Sequence, residues 1–287
     1  MSTAEAVWRL NIPELLGLPD FSLDDADTDA QGNVYVSDGV NGRVFKFLSD
    51  GTPNQSFDVV RTSEDSSLNL SVASDSTFCV ADAGEGVIYR YDESGKPIGE
   101  FDAPGVLSLC RGRDGLISVL VSGDDEERVN IYHQSGALVD VMPAPTRHCA
   151  HLDPGLANLD CDMDGNIYVS YGMPPYRVWK VKADGSGIDT WSRYVDFPED
   201  AILISDISVN PDSGVLWVLL ACKQYGRQIL DAFSLDGEFL GTVEIPHSDT
   251  LYGVACAVGG SDLYLLNTGT GPGSGDLARI SLSKCNS

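Results

Sequence analysis

Short apolar or alternating runs, each bounded by a turn containing glycine or aspartate, recur along the whole chain. In the clearest unit, residues 160–188, a turn at 164–166 leads into the run IYVS, and the alternating run RVWKV ends at a second turn, Asp184-Gly185. Short runs rich in β-branched and aromatic residues between such turns predict strands rather than helices. A unit with the same order of runs begins at Asp27, so the pattern is a repeat.

Four more copies align with these two units. The second predicted strand of each copy begins at Val34, Phe78, Ile117, Ile167, Leu216 and Leu263. The resulting spacings of 44, 39, 50, 49 and 47 residues match a four-stranded propeller blade, which takes roughly 40–50 residues. The sequence therefore predicts an all-β fold, a six-bladed β-propeller of four-stranded antiparallel blades.

The two ends of the chain predict how the ring closes. The sixth copy stops after its third strand, at 278–282, whereas residues 6–13 resemble the fourth strand of the fifth copy, at 242–246. A strand from the N-terminus would cover the free edge of the last blade. We therefore expect residues 1–13 to close the last blade and residues 1–287 to form a single propeller domain.

The first two blades carry a recognisable motif. The sequence GN-x-YV leads into Ser37-Asp38-Gly39 and is followed by Arg-Val, and Ala81-Asp82-Ala83 occupies the matching place in the second blade. These residues resemble the NHL repeat, and this resemblance implies a propeller that binds a partner or ligand. The chain is also distantly similar to six-bladed propellers of the gluconolactonase and virginiamycin B lyase types. That similarity implies a metal ion or histidine at the channel mouth.

Charge and composition narrow the classes of function. With 18 basic and 43 acidic residues the net charge is −25, which disfavours binding to nucleic acids or anionic membranes. No signal-peptide pattern and no run of about 20 apolar residues is present. The seven cysteines form no CxxC pair, a usage that fits a reducing compartment. We therefore expect a cytoplasmic monomer whose partners are proteins, peptides or small molecules.

The parity of the strands sorts the connections onto two faces. Turns from the first to the second strand and from the third to the fourth are short and share one face, here called the turn face. Connections from the second to the third strand, and from blade to blade, are long and irregular; they share the opposite face, here called the loop face. Irregular loops on a rigid scaffold commonly carry function. We therefore expect a site at the channel mouth on the loop face.

Three of the four histidines, together with Cys149, lie in two loop-face segments. His148, Cys149 and His151 lie in segment 143–155, and His247 follows the fifth blade. Imidazole and thiolate groups suit zinc, and histidines also transfer protons near neutral pH. Alternatively, these are solvated or capping residues of the loops. The two interpretations differ in whether the histidines converge on the channel axis.

A second candidate metal site is calcium at Asp160, Asp162 and Asp164, whose spacing is that of the opening of an EF-hand loop. Such a loop needs a carboxylate at its twelfth position, where this chain has Tyr171. The alternative is that these aspartates stabilise the end of a strand and a turn.

The sequence thus supports two functions. The first is a binding module for a protein, a peptide or a small ligand on the loop face. The second is a metal-dependent propeller enzyme of the lactonase, hydrolase or lyase type, which would use a divalent metal ion, zinc or calcium, at the same channel mouth.

Overall fold

Each of the six repeats folds into one antiparallel sheet. The structure is a computed structural model, and it describes residues 2–3, 6–18, 20–59, 67–112, 115–123, 127–144, 157–172, 177–191, 202–210, 212–222, 227–245, 253–259, 262–267 and 275–281. In this part of the chain, no helix is long and apolar enough to cross a membrane.

The strands follow one another blade by blade. The N-terminal segment contributes β1 (Ser2–Thr3), β2 (Ala6–Asn11) and a short helix, α1 (Ile12–Leu16). The first three blades contain β3 (Leu23–Thr28), β4 (Val34–Asp38), β5 (Arg43–Phe47), β6 (Pro53–Asp58), β7 (Leu68–Val72), β8 (Phe78–Asp82), β9 (Val87–Tyr91), β10 (Pro97–Asp102), β11 (Val106–Arg111), β12 (Ile117–Ser122), β13 (Glu127–Tyr132) and β14 (Leu138–Pro143).

The last three blades repeat this order. They contain β15 (Ala157–Cys161), β16 (Ile167–Tyr171), β17 (Val178–Val181), β18 (Ile188–Trp191), β19 (Ile202–Asn210), β20 (Val215–Cys222), β21 (Arg227–Ser234), β22 (Phe239–Ile245), β23 (Gly253–Gly259), β24 (Asp262–Asn267) and β25 (Asp276–Ser281). The second strands begin within one residue of the predicted positions, which confirms the repeat.

The blades form a closed ring. The first strand of every blade contacts the first strand of the next, and β23 of the sixth blade contacts β3 of the first. One apolar cluster fills each junction between neighbouring blades. At the junction that closes the ring, Tyr264 and Leu277 of the sixth blade pack with Val36 and Phe45 of the first. Each sheet thus buries both of its faces, one against each neighbouring blade, and this packing holds a propeller together.

The N-terminal strand completes the last blade, as the sequence predicts. β2 pairs antiparallel with β25, so the sixth sheet has the order β2-β25-β24-β23. Two features at this end were not predicted: β1 pairs in parallel with β22 of the fifth blade, and α1 begins at Ile12, within the segment expected to close the last blade. The helix forms because the Asn11 side chain accepts a hydrogen bond from the Glu14 amide and Gly17, at φ 67°, ends it.

Candidate functional site

The first strands of the blades line a central channel with polar side chains. In these strands Leu70, Leu109, Leu159 and Ile207 are buried in the junctions between blades, so the residues alternating with them face the channel. Strand pairing places the channel residues at two levels. The level toward the loop face, the loop-side ring, contains Asp25, Asn69, Ser108, Asn158 and Asp206. The level toward the turn face, the turn-side ring, contains Asp27, Ser71, Asp160 and Ser208. Cys110 has the equivalent place in β11 but is buried in the junction between the third and fourth blades.

Aspartates of both rings connect neighbouring blades. The carboxylates of Asp25 and Asp27 each accept a hydrogen bond at 2.7 Å from a backbone amide of β7, those of Leu70 and Val72. Across another junction, Asp160 accepts a hydrogen bond at 2.6 Å from the Val209 amide. Because a first strand is the inner edge of its sheet, its channel-side amides have no strand partner. The channel carboxylates supply that partner.

The charged form of these same carboxyl groups is destabilised. Burial raises the pKa of Asp25 well above its usual range, and the charge of Asp206 adds to the effect. Burial also raises the pKa of Asp27 to about 6 and that of Asp160 to about 8; for Asp160 the charges of Asp27 and Asp206 contribute as well. Asp27 and Asp160 belong to opposite blades, the first and the fourth, so their repulsion acts across the channel. A cation in the channel would relieve it.

The raised pKa of Asp27 predicts a dependence of stability on pH. The carboxyl has a reference pKa of 3.8 in the unfolded chain and a pKa of about 6 in the fold. Between these values the folded state holds a proton that the unfolded state has lost, so stability falls as the pH rises through 6. Relative to Asp27→Asn, the wild-type protein should lose about 2 kcal/mol of unfolding free energy between pH 4 and pH 7.

Urea denaturation of both proteins at the two pH values measures this loss. Asp102→Asn, at the exposed end of the outer strand β10, is the matched control and should track the wild-type protein. A constant difference between wild type and Asp27→Asn would contradict the prediction.

Two thiols adjoin the turn-side ring. The Sγ atoms of Cys110 and Cys161 and a carboxylate oxygen of Asp160 all lie within 4.8 Å of one another. Among the described residues, no other group of three histidine, cysteine, aspartate or glutamate side chains meets this distance. Cys110 is 3% exposed, and Cys161 and Asp160 are half-buried. This cluster combines donors that suit soft and borderline metal ions.

The predicted site residues are only partly described. His148, Cys149, His151 and His247 lie outside the described residues, and the zinc site stays a prediction. Asp160, Asp162 and Asp164 are described, and the structure brings Asp160 together with Cys110 and Cys161 rather than with the other two aspartates.

The other two members of the calcium candidate occupy the turn between β15 and β16. Asp162 is buried and accepts hydrogen bonds from the Asp164 and Asn166 amides, the Asn166 side chain and the Tyr168 hydroxyl. Asp164 is exposed. In the first blade, Asp29 binds the equivalent groups of Asn33 and Tyr35. These contacts give Asp162 a role in the turn, and calcium binding stays a prediction.

Of the channel aspartates, sequence reasoning selected Asp160 as a site residue and noted that Asp25 and Asp27 repeat its spacing, but it missed Asp206 and the thiol pair. Asp25, Asp27 and Asp206 lie in first strands at positions facing the channel. The available signal was the spacing of two between Asp25 and Asp27, which puts both side chains on one face of a strand. The pairing of Cys110 with Cys161 had no such signal, because these residues are on different blades.

Comparisons with known proteins find similarity in the fold. No protein-family model and no curated protein sequence matches the chain. Virginiamycin B lyase from Staphylococcus aureus is similar in structure, with a TM-score of 0.63 and 13% identity over 96% of this chain and 98% of that one. A streptogramin B lyase structure has a TM-score of 0.62 and 16% identity over 86% of this chain and 77% of that one. The RRP9 WD40 repeats have a TM-score of 0.64 and 10% identity over 91% of this chain and 94% of that one. At these identities the likeness shows the fold alone. The proteins that share this fold include both enzymes and a WD40 domain.

Proposed function

We propose that this propeller is a binding module whose ligand, a peptide or small molecule, places a positively charged group in the loop-face mouth of the channel. The observation that carries the proposal is the convergence of Asp25, Asp27, Asp160 and Asp206 from three blades on one channel, with mutual repulsion across it. An organic ammonium or guanidinium group is already protonated and positively charged at neutral pH, so it would reduce this repulsion.

The loop-side ring is the first carboxylate level that such a group would meet. Strand β3 runs from the loop face toward the turn face, and Asp25 therefore precedes Asp27 along the channel. The same direction places Asp206 nearer the loop face than Ser208. The sequence predicts that the segments carrying His148, Cys149, His151 and His247 lie on this face, and we include these residues as candidate ligand contacts.

The charge of the whole chain supports the choice of ligand. A net charge of −25 attracts cations from a distance, and a channel lined by the same sign concentrates that field. The channel differs from the rest of the acidic surface because its carboxylates are half-buried. There, an ion pair is less screened by water and salt than on the surface.

Binding of spermidine, a small organic polycation, tests the proposal. Isothermal titration at moderate ionic strength should give one site per chain in the wild-type protein. Asp25→Asn and Asp206→Asn should each weaken this site about tenfold, because one close charge interaction near the surface is worth of the order of 1–2 kcal/mol. Circular dichroism of each variant checks that the blades remain folded.

Asp102→Asn is the matched control, since it removes the same charge from an exposed outer strand. It should bind spermidine like the wild-type protein. Equal weakening in all three variants would mean that the polycation responds only to net charge, and the channel site would be rejected.

A metal-dependent enzyme of the lactonase, hydrolase or lyase type is the second candidate. It is favoured by two carboxyls of different pKa, about 6 for Asp27 and about 8 for Asp160, on opposite sides of one channel. Such a pair suits general acid–base chemistry near neutral pH. One structural neighbour was crystallised with quinupristin, and chromatography of quinupristin incubated with this protein is a direct trial. Turnover lost in both Asp27→Asn and Asp160→Asn would favour the enzyme.

A further inference from the structure

A soft donor set is assembled where the third and fourth blades meet. Cys110 lies on β11, and Asp160 and Cys161 are successive residues on β15. Their two sulfur atoms and a carboxylate oxygen lie within 4.8 Å of one another. We propose that Cys110, Cys161 and Asp160 bind a thiophilic divalent metal ion of the zinc class.

The upper limit of 4.8 Å on the separations is compatible with a tetrahedral ion. With Zn–S bonds of about 2.3 Å, two thiolates on one zinc ion lie about 3.7 Å apart. The three separations, each at most 4.8 Å, exceed that value by no more than about 1 Å, a change that side-chain rotation can supply. Three protein ligands leave the fourth position of the ion for water or a ligand, which is the pattern of open zinc sites.

The surroundings of the donors orient them. The Asp160 carboxylate is held by the Val209 and Cys161 amides, at 2.6 and 2.7 Å. Each carboxylate oxygen retains a second lone pair for a metal ion. Ser118 is the direct partner of Cys110 across β11 and β12, so the two side chains lie on the same face of the sheet. Hydrogen bonds such as those to Asp160, from the protein to the ligating atoms, are usual around bound metals.

A third described thiol shows what a cysteine without this role looks like. Cys79, on β8, is 1% exposed and packs in an apolar cluster with Ala81 and Ile88. It belongs to no group of metal-ligating side chains among the described residues. Cys161, by contrast, is half-buried and next to the channel carboxylate Asp160. Cys110 also packs in an apolar cluster, and Cys161 lies against that cluster, but only these two thiols have each other and a carboxylate as neighbours among the described residues.

Cobalt(II) is the probe for this site, because its charge-transfer absorption reports thiolate ligation directly. The full chain, reduced and freed of metal with a chelator, should take up cobalt with a thiolate charge-transfer band and the visible spectrum of a tetrahedral ion. Zinc should displace it. Cys161→Ser and Cys110→Ser should each remove the band or weaken binding at least tenfold, and Asp160→Asn should weaken binding about tenfold.

Cys79→Ser is the matched control and should bind cobalt like the wild-type protein. Because Cys110 is buried, thermal melts of Cys110→Ser check that this variant is folded. Cys161→Ser is a second variant, at a half-buried position. Zinc should also slow alkylation of Cys161 in the wild-type protein, as followed by mass spectrometry. Absence of the thiolate band, unchanged band intensity and cobalt affinity in Cys161→Ser, or alkylation unaffected by zinc would each overturn the proposal.

The metal site does not depend on the proposed binding of an organic cation. The cobalt measurement reads the two thiols, whereas the spermidine measurement reads Asp25 and Asp206. Either can fail while the other succeeds. A band that survives both cysteine substitutions would mean that the ion binds elsewhere, with Cys149 and the loop histidines as the next candidate ligands.

Discussion

Deleting residues 1–11 should lower the free energy of unfolding by about 4 kcal/mol or more, the value expected for losing a paired edge strand and the apolar side chains it packs. β2 pairs with β25 along its length. Its Trp8 lies against Tyr264 with ring centroids 6.0 Å apart, and Leu10 packs on the cluster that joins the sixth and first blades. Without β2 the ring has an open edge at its closing junction. Urea denaturation of both proteins measures the loss.

Deleting residues 1–5 is the control for this truncation. It removes β1, which adds only two residues to the outer edge of the fifth blade, and leaves β2 in place. This shorter deletion should cost much less than the longer one. If the two truncated proteins unfold alike, or if deletion of residues 1–11 leaves the midpoint unchanged, β2 does not close the ring.

The fold could be predicted because its determinants are local and repeated. Each blade carries its own alternation and turn residues, so six weak signals reinforce one another. The missing strand of the sixth copy identified residues 6–13 as its replacement, of which Ala6–Asn11 forms the strand. The short helix α1 was missed because its start depends on a single side-chain cap, Asn11. The parallel pairing of β1 was missed because a two-residue strand has no periodicity to recognise.

The candidate site was harder to predict because it is assembled from different blades. Asp27 and Asp160 are far apart in sequence and interact across the channel, and Cys110 meets Cys161 at a junction between blades. Each residue also has a plain structural explanation within its own strand. Sequence spacing grouped Asp160 with its neighbours Asp162 and Asp164, whereas the ring groups it with residues of other blades. Only the circular arrangement of the blades reveals the shared channel.

The junctions between blades also depend on glycines in the turns from the third to the fourth strand. Gly95 in the second blade and Gly185 in the fourth occupy the same turn position, with φ of 77° and 68°. A Cβ atom at Gly95 would lie 1.9 Å from Cδ1 of Phe57, on the outer strand of the preceding blade, whereas one at Gly185 would meet nothing within 4 Å. The two positions therefore share the backbone requirement and differ in the packing.

Gly95→Ala should accordingly destabilise the protein by roughly 3 kcal/mol and Gly185→Ala by about 1 kcal/mol, since both force a side chain into the left-handed region but only the first overpacks a junction. Phe57 cannot easily yield, because it is 5% exposed and its ring lies 5.3 Å from that of Phe78. Adding Phe57→Leu to Gly95→Ala should recover part of the loss, as the smaller side chain leaves room for the new methyl group. Equal melting temperatures for the two alanine variants would mean that the outer strand of one blade does not press on the turn of the next.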